Sequence, residues 1–426
     1  MNSLMLALVS ILIVRYLLET LTDLLNISHF EPALPGEFRE VYDSEKYSKS
    51  IRYQRDSTRF ELLKNTFFIV VTVAFIVMGG FEWVDTFARG LNRGPILTGL
   101  VFAGLLSLGR GVLQLPFSLY DTFVIEERYG FNKTTWGVFV GDLLKGTLLG
   151  AILGGLMFGA LIWFFDSAAD RGWLYAWIAL TAFQLLLTFI APVVIMPIFN
   201  RFKPMEPGDL TRAIDDYTKA EHFSLQGVFT MDGSKRSTKA NAFFTGFGRF
   251  RRLVLFDTLI ERQSTEELVA VVAHEIGHFK LKHIQKSIIL SIVSSGLLLF
   301  TFGLLLNRPE LFEAFGMSQG SVYASLVLLS IVYSPILRVL GIFTHWLSRK
   351  HEFEADEYSR TTYGKPEQLV SALKKLSMDN LSHLTPHPLK VLLDYTHPPI
   401  LRRIEAIRIS AGFRSKRLDV CDSTKT

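Results

Sequence analysis

Cysteine is nearly absent from this chain of 426 residues, which contains Cys421 alone. A single thiol excludes an intrachain disulfide framework and a zinc cluster built from thiolates. The chain also has little excess charge of either sign, because its 45 basic and 40 acidic residues leave a formal net charge of only +5. The basic residues are scattered and form no patch interleaved with aromatic side chains, so the sequence predicts no nucleic-acid partner.

Long apolar runs, in contrast, are frequent. Hydrophobic residues make up 49% of the chain, which contains 35 phenylalanines, and the mean hydropathy is +0.29. A helix needs about 20 mostly apolar residues to cross a bilayer. Seven segments satisfy this requirement: Leu4–Leu25, Thr66–Val84, Pro95–Pro116, Leu143–Phe165, Trp173–Phe199, Ile288–Leu306 and Val322–Trp346. We therefore predict a mainly α, polytopic protein that spans the lipid bilayer seven times.

The charges around these runs predict their orientation. The first run lacks a basic leader and is interrupted by Arg15 and Glu19, so it predicts a span rather than a cleaved signal peptide. The loop after it is rich in Lys and Arg, whereas the loops after the second, fourth and sixth runs are poor in both. The positive-inside rule then places the N-terminus outside and the C-terminus in the cytoplasm. Arg15, Arg110 and Lys145 lie within or close to the runs, where a charge either faces a wet cavity or snorkels to the interface.

Two polar segments, 200–287 and 348–413, lie on the same predicted side of the membrane and can therefore meet. The remaining predicted units are spans one to five with a cytoplasmic loop over 26–65 (1–199), spans six and seven (288–347) and a disordered tail (414–426). The first polar segment predicts a helix over Asp209–His222 and short strands, two of them around Gly246 and Gly248, in a small antiparallel β-sheet. Ser264 followed by Glu267 forms a capping box that predicts a helix from Thr265.

The helix that follows this cap contains the sequence HEIGH, in which two histidines are four residues apart and a glutamate follows the first. His274 and His278 are four residues apart and project from one face, so both imidazoles can bind one metal ion. Glu275 is rotated by about 100°, which suits a general base acting on a water rather than a ligand. Gly277 allows another segment to approach closely. The competing interpretation is a pair of helix histidines satisfied by ordinary hydrogen bonds, and we interpret His283 as a bystander.

Zinc peptidases keep three protein ligands and one open position, so a third ligand is required. The acidic stretch directly after the last span supplies the candidates His351, Glu352, Glu354, Asp356 and Glu357. Glu352 and Asp356 share one helix face, so Glu352 can bind the metal while Asp356 accepts a hydrogen bond from a ligand imidazole. Glu354 is expected to point away. The competing interpretation is a solvated, acidic stretch of helix.

Several motifs together resemble the type I CAAX prenyl proteases, which are integral-membrane zinc endopeptidases. These motifs are HEIGH, EFEAD, GSKRSTKANAFFTGF, LVLFDTL and THPPILRRI, with EERYGFNKTT and MPIFNRFKP earlier in the chain. The resemblance extends from the first span to about Ile409. It implies seven long helices that ring a large intramembrane chamber, with a zinc domain on the cytoplasmic side. It also implies one Zn²⁺ per chain, bound by His274, His278 and Glu352.

The resemblance assigns further residues to catalysis. Asn241 would lie on an edge strand near the scissile bond, where a peptide backbone can add as a further strand. His397 and Arg403 would stabilise the oxyanion, while Glu275 serves as the base and Asp356 orients a ligand histidine. Taken without the resemblance, His397 and Arg403 are more simply interpreted as a helix-capping histidine and a surface ion-pair residue, and the neighbouring Arg402 is a rival for the second role.

The resemblance implies a protease that removes the last three residues after a prenylated cysteine. A broad-specificity protease that clears misfolded membrane proteins would need the same catalytic residues, and a seven-span transporter or receptor would need none of them. The expected partners are a peptide or prenylated-peptide substrate and the lipid bilayer, and we expect a monomer. We favour a bacterial inner membrane as the location, or the endoplasmic reticulum membrane if the protein is eukaryotic.

Overall fold

The computed structural model describes residues 2–31, 33–246 and 251–409. The predicted disordered tail, Cys421 and Gly248 lie outside these residues. Within them, seven helices are long and apolar enough to cross a membrane, which confirms the predicted number of spans. Spans one to seven cover Ser3–Ser28, Ser44–Val77, Pro95–Glu126, Trp136–Ser167, Gly172–Phe199, His283–Leu305 and Val322–Tyr363.

The spans form a closed ring in which each helix contacts the next and the seventh contacts the first. The N-terminal end of span seven also packs on span three, where Tyr323 lies against Gly99. Burial within the ring is sparse, since no span has more than 22% of its most apolar stretch buried inside the protein. Helices that bury so little of their surface do not fill a solid bundle, and this agrees with a ring around an open interior.

Spans two and seven differ most from their predicted bounds. Span two begins at Ser44, where Asp43 caps it, so most of the predicted loop 26–65 is helical. This span ends at Val77 rather than Val84, because Gly79 adopts a left-handed conformation with φ of +70°. Span seven continues without a break to Tyr363, so the predicted boundary at 347/348 lies inside one helix of 42 residues.

The three charged residues that the sequence places within or close to the apolar runs, Arg15, Arg110 and Lys145, each have a partner. Arg15 donates a hydrogen bond to Glu19 over 3.0 Å within span one. The guanidinium of Arg110 lies 5.0 Å from the centre of the Phe68 ring. Lys145 Nζ donates to the backbone carbonyl of Ile198 over 3.0 Å. These contacts reduce the cost of placing a charge at membrane depth.

A four-stranded sheet lies outside the membrane part and comprises β1 (Phe202–Pro204), β2 (Gly227–Met231), β3 (Ala242–Thr245) and β4 (Arg252–Phe256) in the order β1-β2-β4-β3. The sheet is mixed rather than antiparallel, because β2 and β4 pair in parallel. The chain leaves β2 and places β3 two positions away at the sheet edge. β4 then fills the gap as the antiparallel partner of β3, which forces it to run parallel to β2.

The helix Thr265–Lys280 packs against span seven, the helix Asp209–Ala220 and β3, and its predicted capping box is confirmed. Its apolar face packs on the sheet through Leu268, Val272 and Ile276. Shorter helices complete the fold: Gly80–Gly90, Asp209–Ala220, Asp257–Ile260, Pro309–Ala314, Pro366–Asp379 and Pro388–Asp394, with single turns at Gly36–Phe38, Ala169–Arg171 and Gly233–Lys235 and a last helical segment over 400–409.

Candidate active site

The helix Thr265–Lys280 and the C-terminal part of span seven meet at the HEIGH sequence. Gly277 makes this close approach possible: a Cβ at this position would lie 3.2 Å from the Cα of Ala355 and 3.0 Å from the Cβ of Tyr358. Two turns earlier on the helix Thr265–Lys280, the carbonyl of Ala270 accepts a hydrogen bond from Ser359 Oγ over 2.8 Å. This packing places His274 and His278 opposite the acidic residues of span seven.

His274, His278 and Glu352 bring one ligand atom each into a small triangle. Nε2 of His274 and Nε2 of His278 are 3.2 Å apart. Oε2 of Glu352 lies 3.5 Å from the first of these nitrogens, and Oε1 of the same carboxylate lies 3.3 Å from the second. In a tetrahedral zinc site with bonds of about 2.0–2.1 Å, ligand atoms lie about 3.3–3.4 Å from one another. The three residues therefore fit one metal ion of this size.

The hydrogen bonds around the triangle also suit a cation. Nδ1 of His274 lies 2.9 Å from Asp356 Oδ1, and a carboxylate can only accept, so Nδ1 carries the proton and Nε2 presents its lone pair. Glu352 Oε2 is buried and accepts no hydrogen bond of good geometry. Burial opposes a charge on His274, but hydrogen bonds with Asp356 and Glu352 outweigh it and raise the pKa of His274 to about 9. The pocket thus strongly attracts positive charge.

Glu275 follows His274 on the same helix but faces a different direction, as the 100° rotation per residue requires. Burial raises the pKa of this carboxyl above its ordinary value of 4.5, while the neighbouring His274 and His278 oppose that effect. A carboxylate of raised pKa accepts a proton more readily than an exposed one. The position and burial of Glu275 therefore suit a general base.

Arg403 lies inside the site, whereas Arg402 does not. Arg403 is only 7% exposed and donates two hydrogen bonds to Asp356, over 2.8 Å and 2.6 Å. Its Nη1 is also 3.1 Å from Glu352 Oε2. Arg402 pairs with Glu405 and its side chain is 73% exposed. Arg403 thus contacts the carboxylates of both Asp356 and Glu352. The prediction that Arg403 stabilises the oxyanion did not include these contacts.

His397, in the C-terminal segment, lies beside the carboxylate of Glu352. Its Nε2 is 3.4 Å from Glu352 Oε1, and its side chain remains 65% exposed. The segment before it is tied to span seven, because Arg349 donates hydrogen bonds to the carbonyls of Val391 and Tyr395 over 2.8 Å and 2.6 Å. An accessible imidazole beside the metal-binding triangle is available to a bound substrate.

Asn241 immediately precedes β3, the outermost strand of the sheet. Its side chain is exposed, and Oδ1 accepts a hydrogen bond from the Ala242 N–H over 2.9 Å. One edge of β3 pairs with β4 and the other edge carries no strand among the described residues. The predicted placement of Asn241 beside an edge strand agrees with this topology.

The sequence-based interpretation missed a second group beside the first. His283, predicted to be a bystander, lies with His351 and Glu354, and these three could also hold a metal ion by proximity. The prediction assumed one continuous helix from His274 to His283. The helix ends at Lys280, and Lys282 adopts φ of +60°, which turns His283 back towards His278. Nothing in the sequence indicates that the backbone of Lys282 is left-handed, so this turn could not be predicted.

Two family models match almost the whole chain. One describes the CAAX prenyl protease N-terminal region with five membrane helices and matches residues 23–201, and the other describes peptidase family M48 and matches residues 204–411. The CAAX prenyl protease 1 homolog of Arabidopsis thaliana is 35% identical and aligns over 94% of this chain and 96% of its own length. The homolog of Homo sapiens is 33% identical over 88% of each chain.

A solved structure is similar over the same length. The crystal structure of Ste24p from S. mikatae superposes with a TM-score of 0.89 at 29% identity, and the match covers 96% of this chain and 99% of that one. Sequence and fold therefore agree over both the ring of spans and the metal-binding domain. The chain belongs to peptidase family M48, as a multi-pass membrane metalloendopeptidase of the CAAX prenyl protease type.

Proposed function

We propose that this protein is a zinc endopeptidase in which His274, His278 and Glu352 hold one Zn²⁺. The observation that supports this most directly is the triangle of ligand groups: the two imidazole nitrogens are 3.2 Å apart, and each lies 3.3 or 3.5 Å from an oxygen of the Glu352 carboxylate, distances close to those of a tetrahedral zinc site. Nitrogen and carboxylate donors of this kind are the usual ligands of catalytic zinc. When bound, the ion supplies Lewis acidity, which activates water and polarises the scissile carbonyl.

The side chains around the triangle take separate roles in this proposal. Glu275 accepts the proton of the attacking water and delivers it to the leaving amine. His397 donates a hydrogen bond to the oxyanion, because its ring is accessible beside Glu352. Asp356 holds the His274 ring, and Arg403 holds Asp356 through two parallel hydrogen bonds. The donation of Arg403 to the oxyanion remains a prediction, and its contacts favour an orienting role.

The substrate backbone is held by strand addition. The edge of β3 that pairs with no strand among the described residues, with Asn241 directly before it, offers N–H and C=O groups that pair with an extended peptide regardless of its sequence. The relatives named above are prenyl proteases, so we propose that the substrate is a protein whose C-terminal cysteine carries a prenyl chain and that the residues after it are removed. A ring of spans in the bilayer provides the apolar surroundings that such a chain requires.

The test is a cleavage assay with one peptide in prenylated and unprenylated forms. We expect the prenylated form to be cut faster, and the Glu275→Gln variant to bind zinc but cut neither form, because this change removes the base and keeps the ligands. Normal turnover by Glu275→Gln would refute the assignment of the base. Equal rates for the two peptides would instead favour a broad-specificity protease, and a wild-type protein without zinc or cleavage would reject the enzyme altogether.

The orientation and the location are also proposals. The basic loops favour a cytoplasmic C-terminus, and the relatives come from eukaryotes, which favours the endoplasmic reticulum over the bacterial inner membrane that the sequence suggested. We propose a monomer, since all residues assigned to the site come from one chain. Tags at either terminus, probed with antibody in sealed vesicles, test the orientation, and a cytoplasmic N-terminus would overturn it.

A further inference from the structure

His278 is connected to a second layer of buried polar groups that the catalytic proposal does not use. Its Nδ1 lies 3.0 Å from Nδ1 of His283. On the other side of that ring, Nε2 of His283 lies 2.9 Å from Glu354 Oε2. His283 is only 3% exposed and stacks on the His351 ring, with centroids 4.0 Å apart and planes within 9°. The ring of His283 is therefore held firmly in one orientation.

The carboxylate at the end of this chain fixes the direction of every hydrogen bond in it. Glu354 can only accept, so Nε2 of His283 carries a proton. A neutral imidazole has one N–H, so Nδ1 of His283 accepts. Nδ1 of His278 must then donate, which leaves the lone pair of His278 on Nε2. That nitrogen is the one that lies 3.2 Å from Nε2 of His274 in the triangle.

We infer that His283 is a positioning residue that, together with Glu354, selects the metal-binding tautomer and the ring orientation of His278. This inference rests on the proposed zinc site. The two ligand histidines are thus oriented by different means: His274 donates directly to a carboxylate, Asp356, whereas His278 donates to one through an intervening imidazole. Groups that orient metal ligands in this way strengthen metal binding.

The alternative role for His283, His351 and Glu354 is a second metal site. The geometry does not favour it, because nitrogen lone pairs lie in the ring plane. The planes of His283 and His351 are nearly parallel and stacked, so their lone pairs do not converge on one point. In addition, both nitrogens of His283 already face a partner, His278 on one side and Glu354 on the other.

The zinc dissociation constant of the purified full-length protein, measured by competition with a chelator, tests the inference. His283→Phe keeps the stacked ring but cannot accept from His278, and we expect zinc binding to weaken about 10- to 100-fold. His283→Gln offers both an acceptor and a donor and should restore most of the affinity. Glu354→Ala removes the partly exposed carboxylate that fixes the tautomer, and we expect a loss of about tenfold, at the lower end of that range.

Two matched controls complete the experiment. His351→Phe keeps the stacking and Glu357→Ala removes an acid that pairs with Arg360 instead, so both should bind zinc as the wild type does. Wild-type affinity in both His283→Phe and Glu354→Ala would overturn the inference, as would His283→Gln binding zinc as weakly as His283→Phe. Two zinc ions per wild-type chain, falling to one in His283→Phe and His351→Phe, would establish the second metal site instead. A wild-type protein that binds no zinc would refute the proposed function itself.

Discussion

Replacing Gly277 with alanine should weaken metal binding without changing any ligand. The added Cβ would lie 3.0 Å from the Cβ of Tyr358 and 3.2 Å from the Cα of Ala355. Carbon atoms prefer separations of about 3.5–4.0 Å. Both opposing atoms belong to or adjoin the backbone of span seven and cannot swing aside. The helix Thr265–Lys280 must therefore move away from span seven by about 0.5 Å.

That movement is large compared with what the site tolerates. Glu352 lies on span seven and the two histidines lie on the other helix, so the triangle edges of 3.3 and 3.5 Å lengthen directly. Functional groups must be held within about 0.5 Å of their working geometry. Overpacking costs about 1–3 kcal/mol, and alanine in a helix recovers about 0.5–1 kcal/mol relative to glycine. We expect a net loss of about 1 kcal/mol, equivalent to roughly fivefold weaker zinc binding, and a lower kcat/KM.

The assay is kcat/KM for peptide cleavage as a function of free zinc, together with the zinc dissociation constant. Gly146→Ala is the matched control, because the space around Gly146 within span four is open and an added Cβ meets no atom within 4 Å. Excess zinc should rescue Gly277→Ala in part, since the ligands remain. Zinc affinity and turnover equal to the wild type would show that this contact does not set the distance between the two motifs.

Three further outcomes are expected. Arg403→Lys should lower the melting temperature and the zinc affinity, because a lysine cannot reproduce the bidentate contact with buried Asp356. The expected loss in the free energy of unfolding is about 1.5–3 kcal/mol. Arg402→Lys is the control and should match the wild type in both measurements. Burial disfavours the charged Glu267, but hydrogen bonds from Lys375 and the cap outweigh it and lower its pKa. Its contribution to stability is therefore present above about pH 4.5 and disappears as the pH falls through the lowered pKa, so the melting-temperature difference between wild type and Glu267→Gln should shrink only at acidic pH. Dialysis against a chelator should abolish cleavage, and added Zn²⁺ should restore it; cleavage that survives complete metal removal would contradict the zinc mechanism.

Sequence spacing predicted which residues of the candidate metal site share a helix face, because that property depends on the helix period alone, and the resemblance implied the trio of His274, His278 and Glu352. His274 and His278 are one turn apart, and Glu352 and Asp356 are one turn apart, so each pair shares a face wherever its helix lies. The structure brings the two pairs together without any change of register, and Glu354 does point away from the triangle, towards His283. The number of spans was predictable for the same reason, since a run of about 20 apolar residues is a local property.

The features that were not predictable depend on the tertiary structure. The parallel pairing of β2 with β4 results from the chain placing β3 beyond the position that β4 later fills, which no alternation of residues encodes. The polar first half of span two, from Ser44, is helical because it packs on other parts of the protein through Tyr47 and Tyr53 rather than on lipid. A hydropathy argument finds only the part of a helix that lies in the membrane.

The position of the zinc motif directly before span six has a physical explanation in the turn at Lys282. The left-handed residue ends the helix Thr265–Lys280 and allows span six to begin at His283, against His278. Span seven carries Glu352 and Glu354 beyond its apolar part on one continuous helix. Two spans thus extend from the bilayer to the proposed metal site: span seven contributes Glu352, the proposed third ligand, and span six contributes His283, the imidazole inferred to orient His278. A shift of either span within the ring would therefore change the distances between the residues of the proposed metal site.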